Sequence, residues 1–186
     1  MEIKDIIKDK EIIGIVSNYQ HSLENGLVKD LNIKNIEKAL LMVNLDNKVL
    51  NKKIDELTLN ELFKVDLLTK LDKEIIIIGN LSKNLIYRDI EFIKKLLLKL
   101  NKEYNKKIVI IDENIDVFIN LVNYIYVLKN KQIVYSTNDY FDDELYEYVK
   151  CPKIIEFIKY VNKDGKKVDE TLEIYELIKD IFRRLS

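Results

Sequence analysis

A run of four isoleucines, Ile75–Ile78, is the feature that most constrains the fold of this chain. Four consecutive β-branched apolar residues, preceded by Glu74 and followed by Gly79-Asn80, predict a strand that is buried on both faces. Such strands are typical of the centre of a parallel sheet, and we expect this one there. In open α/β sheets ligands bind at the carboxyl ends of the strands, so the two residues after Ile78 carry chemical information.

Segments of alternating type surround this run and predict an α/β fold. Two apolar strands, 74–79 and 107–111, flank a helix at 87–100 whose apolar residues recur at 3-4-3 spacing, which indicates a βαβ unit with parallel strands. We also predict strands at 11–17, 124–128 and 132–135, helices at 35–43, 59–71 and 116–121, and a helical pattern from Asp139 onward that breaks at Pro152 and at Lys163-Asp164-Gly165.

Composition excludes several classes of function. The 186 residues carry 31 basic and 32 acidic side chains, so the chain lacks the basic footprint of a nucleic-acid-binding protein. No apolar run approaches the roughly 20 residues that span a bilayer. The N-terminus, Met1–Asp5, lacks the apolar core of a signal peptide, and the single Cys151 cannot form an internal disulfide. We therefore expect a cytoplasmic protein.

Several short segments follow one another in a familiar order from about Ser22 to the C-terminus. They are Leu57–Glu61 (LTLNE), Ile75–Asn80 (IIIIGN), Leu81–Leu85 (LSKNL), Ile110–Asn114 (IIDEN), Val122–Val134 (VNYIYVLKNKQIV), and the pair Cys151–Ile155 with Glu176–Ile181. In this order they resemble the signature, Walker B strand, D-loop, switch segment, following hairpin and C-terminal helices of the ATPase subunits of ABC transporters. The chain is most similar to the paired ATPases of energy-coupling-factor transporters.

The resemblance implies an α/β fold of the P-loop NTPase, ABC-ATPase-like kind, in which a parallel sheet is flanked by helices. Residues 1–150 would form a degenerate, truncated ATPase-like domain that includes a small helical subdomain at about 24–72. Residues 151–186 would form a C-terminal helical extension that serves dimerisation.

The phosphate-binding positions depart from the family pattern. A P-loop needs G-x-x-x-x-G-K-[S/T], because its glycines let backbone N–H groups close around phosphates and its Lys neutralises their charge. After Gly14 this chain continues through Ser17 without a second glycine in place and without a Lys. The resemblance implies that the P-loop helix and the Q-loop strands are deleted, because Glu24-Asn25-Gly26-Leu27 resembles family sequence from well downstream.

The catalytic positions of the family also differ. Gly79 and Asn80 replace the Walker B Asp and Glu, and an amide side chain is not a base. Glu113 replaces the switch His, and Asn60 replaces one of the two signature glycines. Phosphoryl transfer depends on positioning and electrostatics, so these losses predict that hydrolysis is abolished.

The remaining family positions concern association. ATPases of this family sandwich ATP between two chains, so this chain would offer Thr58, Glu61, Ser82, Lys83 and Asn84 to the nucleotide of a partner. We expect no catalytic residues, no metal site and no cofactor of its own, although the family uses ATP and Mg²⁺.

The leading hypothesis is a structural or regulatory subunit of an uptake transporter of the energy-coupling-factor type. It would pair with an intact ATPase, with a membrane component at the inner face of the membrane, or with a second copy of itself. The alternatives are a standalone binding or scaffold protein that keeps the fold, and an active ATPase whose catalytic residues lie elsewhere in the sequence.

Several of the residues singled out above could have a purely structural role instead of a functional one. Thr58 is also a good N-cap for the helix that follows it. Asp112-Glu113 and Asp142–Glu144 could suggest a cation site, but solvated loops or a helix N-terminus explain such residues as well. His21 is expected to be solvated, and Tyr140, Phe141, Tyr146 and Tyr148 are expected to pack against a helix.

Overall fold

A computed structural model describes residues 7, 11–21, 23–163 and 168–185 of the chain. The signal-peptide interpretation of Met1–Asp5, the start of the resemblance at Ser22 and the break at Asp164-Gly165 lie outside the described residues.

A five-stranded sheet forms the centre of the described chain, in the order β2-β3-β1-β4-β5. Its first four strands are parallel, and β5 is antiparallel to β4. The strands are β1 (Ile12–Val16), β2 (Ile75–Gly79), β3 (Lys107–Asp112), β4 (Tyr124–Lys129) and β5 (Gln132–Thr137). All five predicted strands are therefore confirmed to within two residues at either end.

The position predicted for the isoleucine run is wrong. Strand β2 lies at one edge of the described sheet and pairs only with β3, whereas β1 lies in the centre between β3 and β4. The physical reason is that residues 17–21 and 23–26, which follow β1, form no helix or strand, so they supply no partner for the outer edge of β2. Ile76 and Ile78 are buried, but Ile75 and Ile77 are only half-buried.

Six helices are described: α1 (Ile36–Met42), α2 (Leu59–Leu68), α3 (Leu81–Asn84), α4 (Tyr87–Tyr104), α5 (Lys153–Lys163) and α6 (Ile174–Leu185). Helix α4 connects β2 to the adjacent parallel strand β3, which confirms the predicted βαβ unit. None of the described helices is long and apolar enough to span a membrane.

The helical patterns predicted at 116–121 and from 139 to 151 are largely wrong, since these segments contain only 3₁₀ turns at Ile115–Val117 and Asp143–Glu147. The side chain of Asp139 accepts a hydrogen bond from the backbone N–H of Phe141, and the side chain of Asp142 accepts one from Glu144. Such local bonds compete with helix formation, because they satisfy backbone donors in turn geometry.

The main core lies on one face of the sheet, where Ile76, Ile78, Ile108 and Ile110 pack with the helices. Buried residues of the segment 24–72, such as Leu40, belong to the same core. The opposite face of the sheet carries a smaller cluster of Ile7, Ile13, Ile15 and Val109. The division of the chain into a 1–150 domain and a 151–186 extension stays a prediction.

Candidate functional site

The carboxyl ends of β1, β3 and β2 are crossed by the segment that leaves β1, Ser17–Tyr19, which we call the strap. The backbone N–H of Ser17 donates to the carbonyl oxygen of Asp112 at the end of β3, at 3.3 Å. The side-chain amide of Asn80, just after β2, donates to the carbonyl oxygen of Tyr19 at 2.9 Å. The strap therefore covers the edge of the sheet at which α/β proteins bind ligands.

Tyr19 occupies the space that a side chain at position 79 would need. A Cβ atom built on Gly79 would lie 2.4 Å from Cγ of Tyr19 and 2.4 Å from the carbonyl oxygen of Ile111. Distances this short do not occur between real atoms, so only glycine fits at the end of β2 while the strap is in place. No carboxylate side chain can stand at this position in the present fold.

Two charged residues, Asp66 of α2 and Lys70 in the turn after it, hold the Tyr19 side chain. Its hydroxyl donates to Oδ2 of Asp66 at 2.9 Å, and Nζ of Lys70 lies 2.5 Å from the hydroxyl and 2.6 Å from the same carboxylate oxygen. Burial raises the pKa of Tyr19, and the neighbouring Asp66 charge raises it further, so the hydroxyl stays protonated at neutral pH. Asp66 is 3% exposed, so the network closes a buried region.

Sequence reasoning missed Tyr19, Asp66 and Lys70. A detectable signal was Asp66 within the otherwise apolar run Val65–Leu68, with Lys70 four residues later, a spacing that favours an ion pair. A charge among apolar residues predicts a buried, partnered side chain, because burying an unpaired charge is costly.

Asp112 is fully buried at the end of β3, so the expectation of a solvated loop is wrong for this residue. Its carboxylate accepts hydrogen bonds from the Ser82 hydroxyl at 2.5 Å, from the Ser82 backbone N–H at 3.0 Å and from the Asn114 backbone N–H at 3.0 Å. Asp112 thereby ties the first turn of α3 to the switch segment.

Glu113 points to the surface and forms an ion pair with Lys83, with 2.5 Å between Oε2 and Nζ. One cavity of about 520 Å³ is lined by Ser82, Lys83 and Glu113, together with Lys153 at the start of α5 and Lys150 just before this helix. Within the described residues, no group of three or more His, Cys, Asp or Glu side chains is arranged to hold a metal ion.

Gly14 lies inside β1, away from any turn. A Cβ atom there would lie 2.8 Å from the ring of Phe118, which is fully buried, so the glycine makes room for this ring. The predicted role of Gly14 in a degenerate phosphate loop therefore has a packing explanation. Ser17 lies directly after β1 and belongs to the strap.

The signature positions form the start of α2. The Thr58 hydroxyl accepts the backbone N–H of Glu61, and Oε2 of Glu61 accepts the backbone N–H of Thr58 at 2.9 Å, which is a capping box. Burial would raise the pKa of Glu61, but hydrogen bonds from Lys52 and Thr58 hold it below its ordinary value. The Asn60 amide donates to Asp89 of α4 at 2.8 Å.

The remaining predicted positions lie around the start of α3. Asn80 has a left-handed backbone (φ 58°) and precedes this helix, and its carbonyl oxygen accepts the backbone N–H of Asn84 at 2.9 Å. Asn80 is hydrogen-bonded to the strap, and Gly79 lies against Tyr19 of the strap. Of the predicted site residues, Ser82, Lys83 and Glu113 line the cavity. The residues that line it do not include Gly79, Asn80, Asn84, Thr58, Asn60 or Glu61.

Comparison of this fold with solved structures shows that it is similar to ATP-binding cassettes. The chain matches "Dimeric structure of a post-hydrolysis state of the ATP-binding cassette MJ0796 bound to ADP and Pi" with a TM-score of 0.54 and 22% identity, over 69% of this chain and 63% of that one. It matches CbiO1 from Clostridium perfringens, part of the ABC transporter complex cbiONQ, with a TM-score of 0.50 and 21% identity, over 81% and 62%. The chain therefore has the α/β fold of ABC ATPase cassettes, as predicted.

The same fold occurs outside transporters. The archaeal ribosome recycling factor aABCE1, solved with the stalk protein aP1, matches with a TM-score of 0.52 and 16% identity, over 70% of this chain and 34% of that one. This chain spans less than two thirds of the length of these three structures. No protein-family model and no curated protein matches it by sequence.

One expectation from the sequence is corrected by these comparisons. We expected no cofactor, but the cassette MJ0796 with this fold holds ADP and Pi. The missing motif residues were therefore insufficient grounds for expecting no cofactor in a chain with this fold.

Proposed function

We propose that this chain is a non-hydrolysing subunit with the ABC cassette fold, which acts as a structural or regulatory partner in an uptake transporter of the energy-coupling-factor type. The observation that carries the proposal is the strap, because Tyr19 fills the end of β2 where the family places its catalytic carboxylates. The proposed location is the cytoplasmic face of a membrane that holds the transporter.

Hydrolysis of ATP needs a base or a water-positioning group and a metal ligand near the γ-phosphate. Gly79 has no side chain and no space for one, and the Asn80 amide is bonded to the backbone of the strap. Asp112, the nearest buried carboxylate, already accepts three hydrogen bonds from Ser82 and Asn114. These groups hold the fold together, and none of them is free to activate water.

The role of ATP in this proposal comes through an intact partner cassette. The structure of MJ0796 is dimeric and holds ADP and Pi, and CbiO1 is part of a larger complex. By analogy, the residues that this chain would turn toward a partner's nucleotide are Thr58 and Glu61 at the start of α2 and Ser82, Lys83 and Asn84 in α3. The extension 151–186 would hold the pair together.

A standalone scaffold protein is the second candidate, and one observation favours it. The described residues between β1 and Leu27 form neither helix nor strand, although the resemblance places the Q-loop region there. That region couples nucleotide state to the membrane subunit in the family, so its absence would remove the connection to transport.

Affinity capture of the tagged full-length chain from its native cells tests the proposal. We expect an intact ABC ATPase or a transmembrane transporter component to co-purify in a stoichiometric amount. A charge-reversed variant, Lys83→Glu, should lower this yield if α3 faces the partner, whereas Lys99→Glu on the exposed side of α4 should leave it unchanged. Recovery of the chain without either kind of partner would contradict the proposal and favour the scaffold.

A further inference from the structure

One of the four glycines in the sequence, Gly26, follows an asparagine, Asn25. Such pairs usually form the two-residue turn of a hairpin, in which both residues have a positive φ. Here neither residue is in the left-handed region, and both are exposed in a bend at the surface. Hairpin geometry therefore does not explain why glycine follows asparagine at this position.

Gly26 leaves the side-chain amide of Asn25 open to attack by the backbone. A bond between the Gly26 nitrogen and Cγ of Asn25 closes a five-membered ring. Any other residue at position 26 would crowd this nitrogen with its Cβ atom, which glycine lacks. A Cβ atom built on Gly26 meets nothing within 4 Å, so the surrounding structure also leaves space for the ring. The Gly26 N–H donates to no other described residue, so no hydrogen bond holds it away from the amide.

We propose that Asn25 is a deamidation site, at which water converts the side-chain amide to a carboxylate without an enzyme. The Gly26 nitrogen bonds to Cγ while the Cγ–Nδ2 bond breaks, and the proton of this nitrogen leaves with the amide as ammonia. Water then opens the resulting succinimide. Attack at Cγ gives aspartate, and attack at the backbone carbonyl carbon gives isoaspartate, in which the main chain runs through the former side chain.

The Asn25 amide makes a contact that deamidation would reverse. Its Nδ2 atom donates to Oδ2 of Asp55 at 3.1 Å, in the 3₁₀ turn Ile54–Glu56. The reaction replaces this donor with a second carboxylate, so that a hydrogen bond becomes a repulsion between like charges. Both side chains are exposed, so solvent screens the repulsion and keeps it moderate.

Backbone hydrogen bonds beside the pair connect it to the main core. The carbonyl oxygen of Gly26 accepts the N–H of Ile54 at 2.9 Å, and the N–H of Val28 donates to the carbonyl oxygen of Lys52 at 3.1 Å. Ile54 and Val28 are both buried. Isoaspartate adds a methylene group to the main chain just before Gly26, which displaces the acceptor of the first bond. We therefore expect deamidation to loosen this contact.

Peptide mapping by mass spectrometry tests the site, on the full chain incubated in neutral buffer. We expect the peptide that holds Asn25 to gain the mass difference between –NH₂ and –OH roughly tenfold faster than those of Asn44 and Asn105, which are also exposed but do not precede glycine. Gly26→Ala should slow the conversion roughly tenfold, since it crowds the attacking nitrogen. Conversion no faster than at Asn44 and Asn105, or an equal rate in Gly26→Ala, would overturn the proposal.

Hydrogen exchange tests the consequence, with Asn25→Asp as a mimic of the product. We expect the N–H groups of Ile54 and Val28 to exchange roughly threefold faster than in the wild type. The matched control is the double variant Asn25→Asp, Asp55→Asn, which restores one carboxylate and one amide with their places exchanged. Its exchange rates should return to those of the wild type. Unchanged exchange in Asn25→Asp, or no recovery in the double variant, would show that the contact does not respond to the charge at position 25.

Discussion

Gly79 shows how one residue carries both the sequence argument and the structural one. In the sequence it stands where the resemblance would place a catalytic carboxylate. In the structure it lies against Tyr19 and against the Ile111 carbonyl oxygen, so that a Cβ atom there has no space. Glycine at position 79 therefore has a packing reason in this fold.

Replacing Gly79 by Ala should destabilise the protein by about 3 kcal/mol, since the added methyl group must displace either the Tyr19 ring or the Ile111 carbonyl. Chemical denaturation monitored by circular dichroism measures the free energy of unfolding. Gly26→Ala is the matched control, because a Cβ atom there meets nothing within 4 Å. Its effect should stay within about 0.5 kcal/mol.

The double variant Tyr19→Ala, Gly79→Ala locates the origin of the effect. The Tyr19→Ala replacement removes the ring atom 2.4 Å from the added Cβ atom, but it leaves the Tyr19 Cβ atom at 2.5 Å and the Ile111 carbonyl oxygen at 2.4 Å. The second replacement should therefore cost less in the Tyr19→Ala background than in the wild type, without becoming neutral. Equal costs in both backgrounds would mean that the Tyr19 ring contributes nothing to the clash at position 79.

At the scale of helices and strands, the sequence patterns predicted those elements whose type depends on neighbouring residues in the chain. The five strands and the central helices followed from apolar periodicity, and the turn at Asn130-Lys131 followed from its residue types. For the isoleucine run, the sequence predicted a strand, but it did not predict that this strand lies at the edge of the sheet. That place depends on which segments pair with β2, and no local signal reports the absence of a partner strand.

The candidate site shows the same limit. The end of β2, α3 and the switch segment could be predicted to meet, because parallel strands bring their carboxyl ends to one edge. Tyr19 could not be predicted there, since it reaches Asp66 across 47 positions of the chain and its own neighbours form no regular structure. The helix expected from Asp139 failed because Asp139 and Asp142 satisfy backbone donors locally.

Helix α2 offers a test of the signature positions. Replacing Thr58 by Ala removes the hydroxyl half of the capping box and should cost about 1 kcal/mol of stability, whereas Thr58→Ser should retain most of it. Thermal or chemical unfolding of the purified chain measures both. If Thr58→Ala leaves stability unchanged, the capping interaction contributes nothing and the hydroxyl must serve another purpose.

At the scale of the whole molecule, the chain combines the cassette fold with a closed carboxyl edge. Strand β1 gains partners on both sides, so the sheet remains continuous although the segment after β1 is short. Among the described residues, α6 exposes several apolar side chains and α3 borders a cavity of about 520 Å³. The proposed role as a non-hydrolysing subunit is consistent with this closed edge.

The most direct test of that account is the rate of phosphate release from Mg·ATP by the purified full-length chain. Because Tyr19 and the Ile111 carbonyl leave no space for a carboxylate side chain at position 79, at the end of β2, we predict a rate equal to that of buffer. A rate that increases in proportion to the protein and changes in Asn80→Ala would show that this edge of the sheet is catalytic, and would contradict the account.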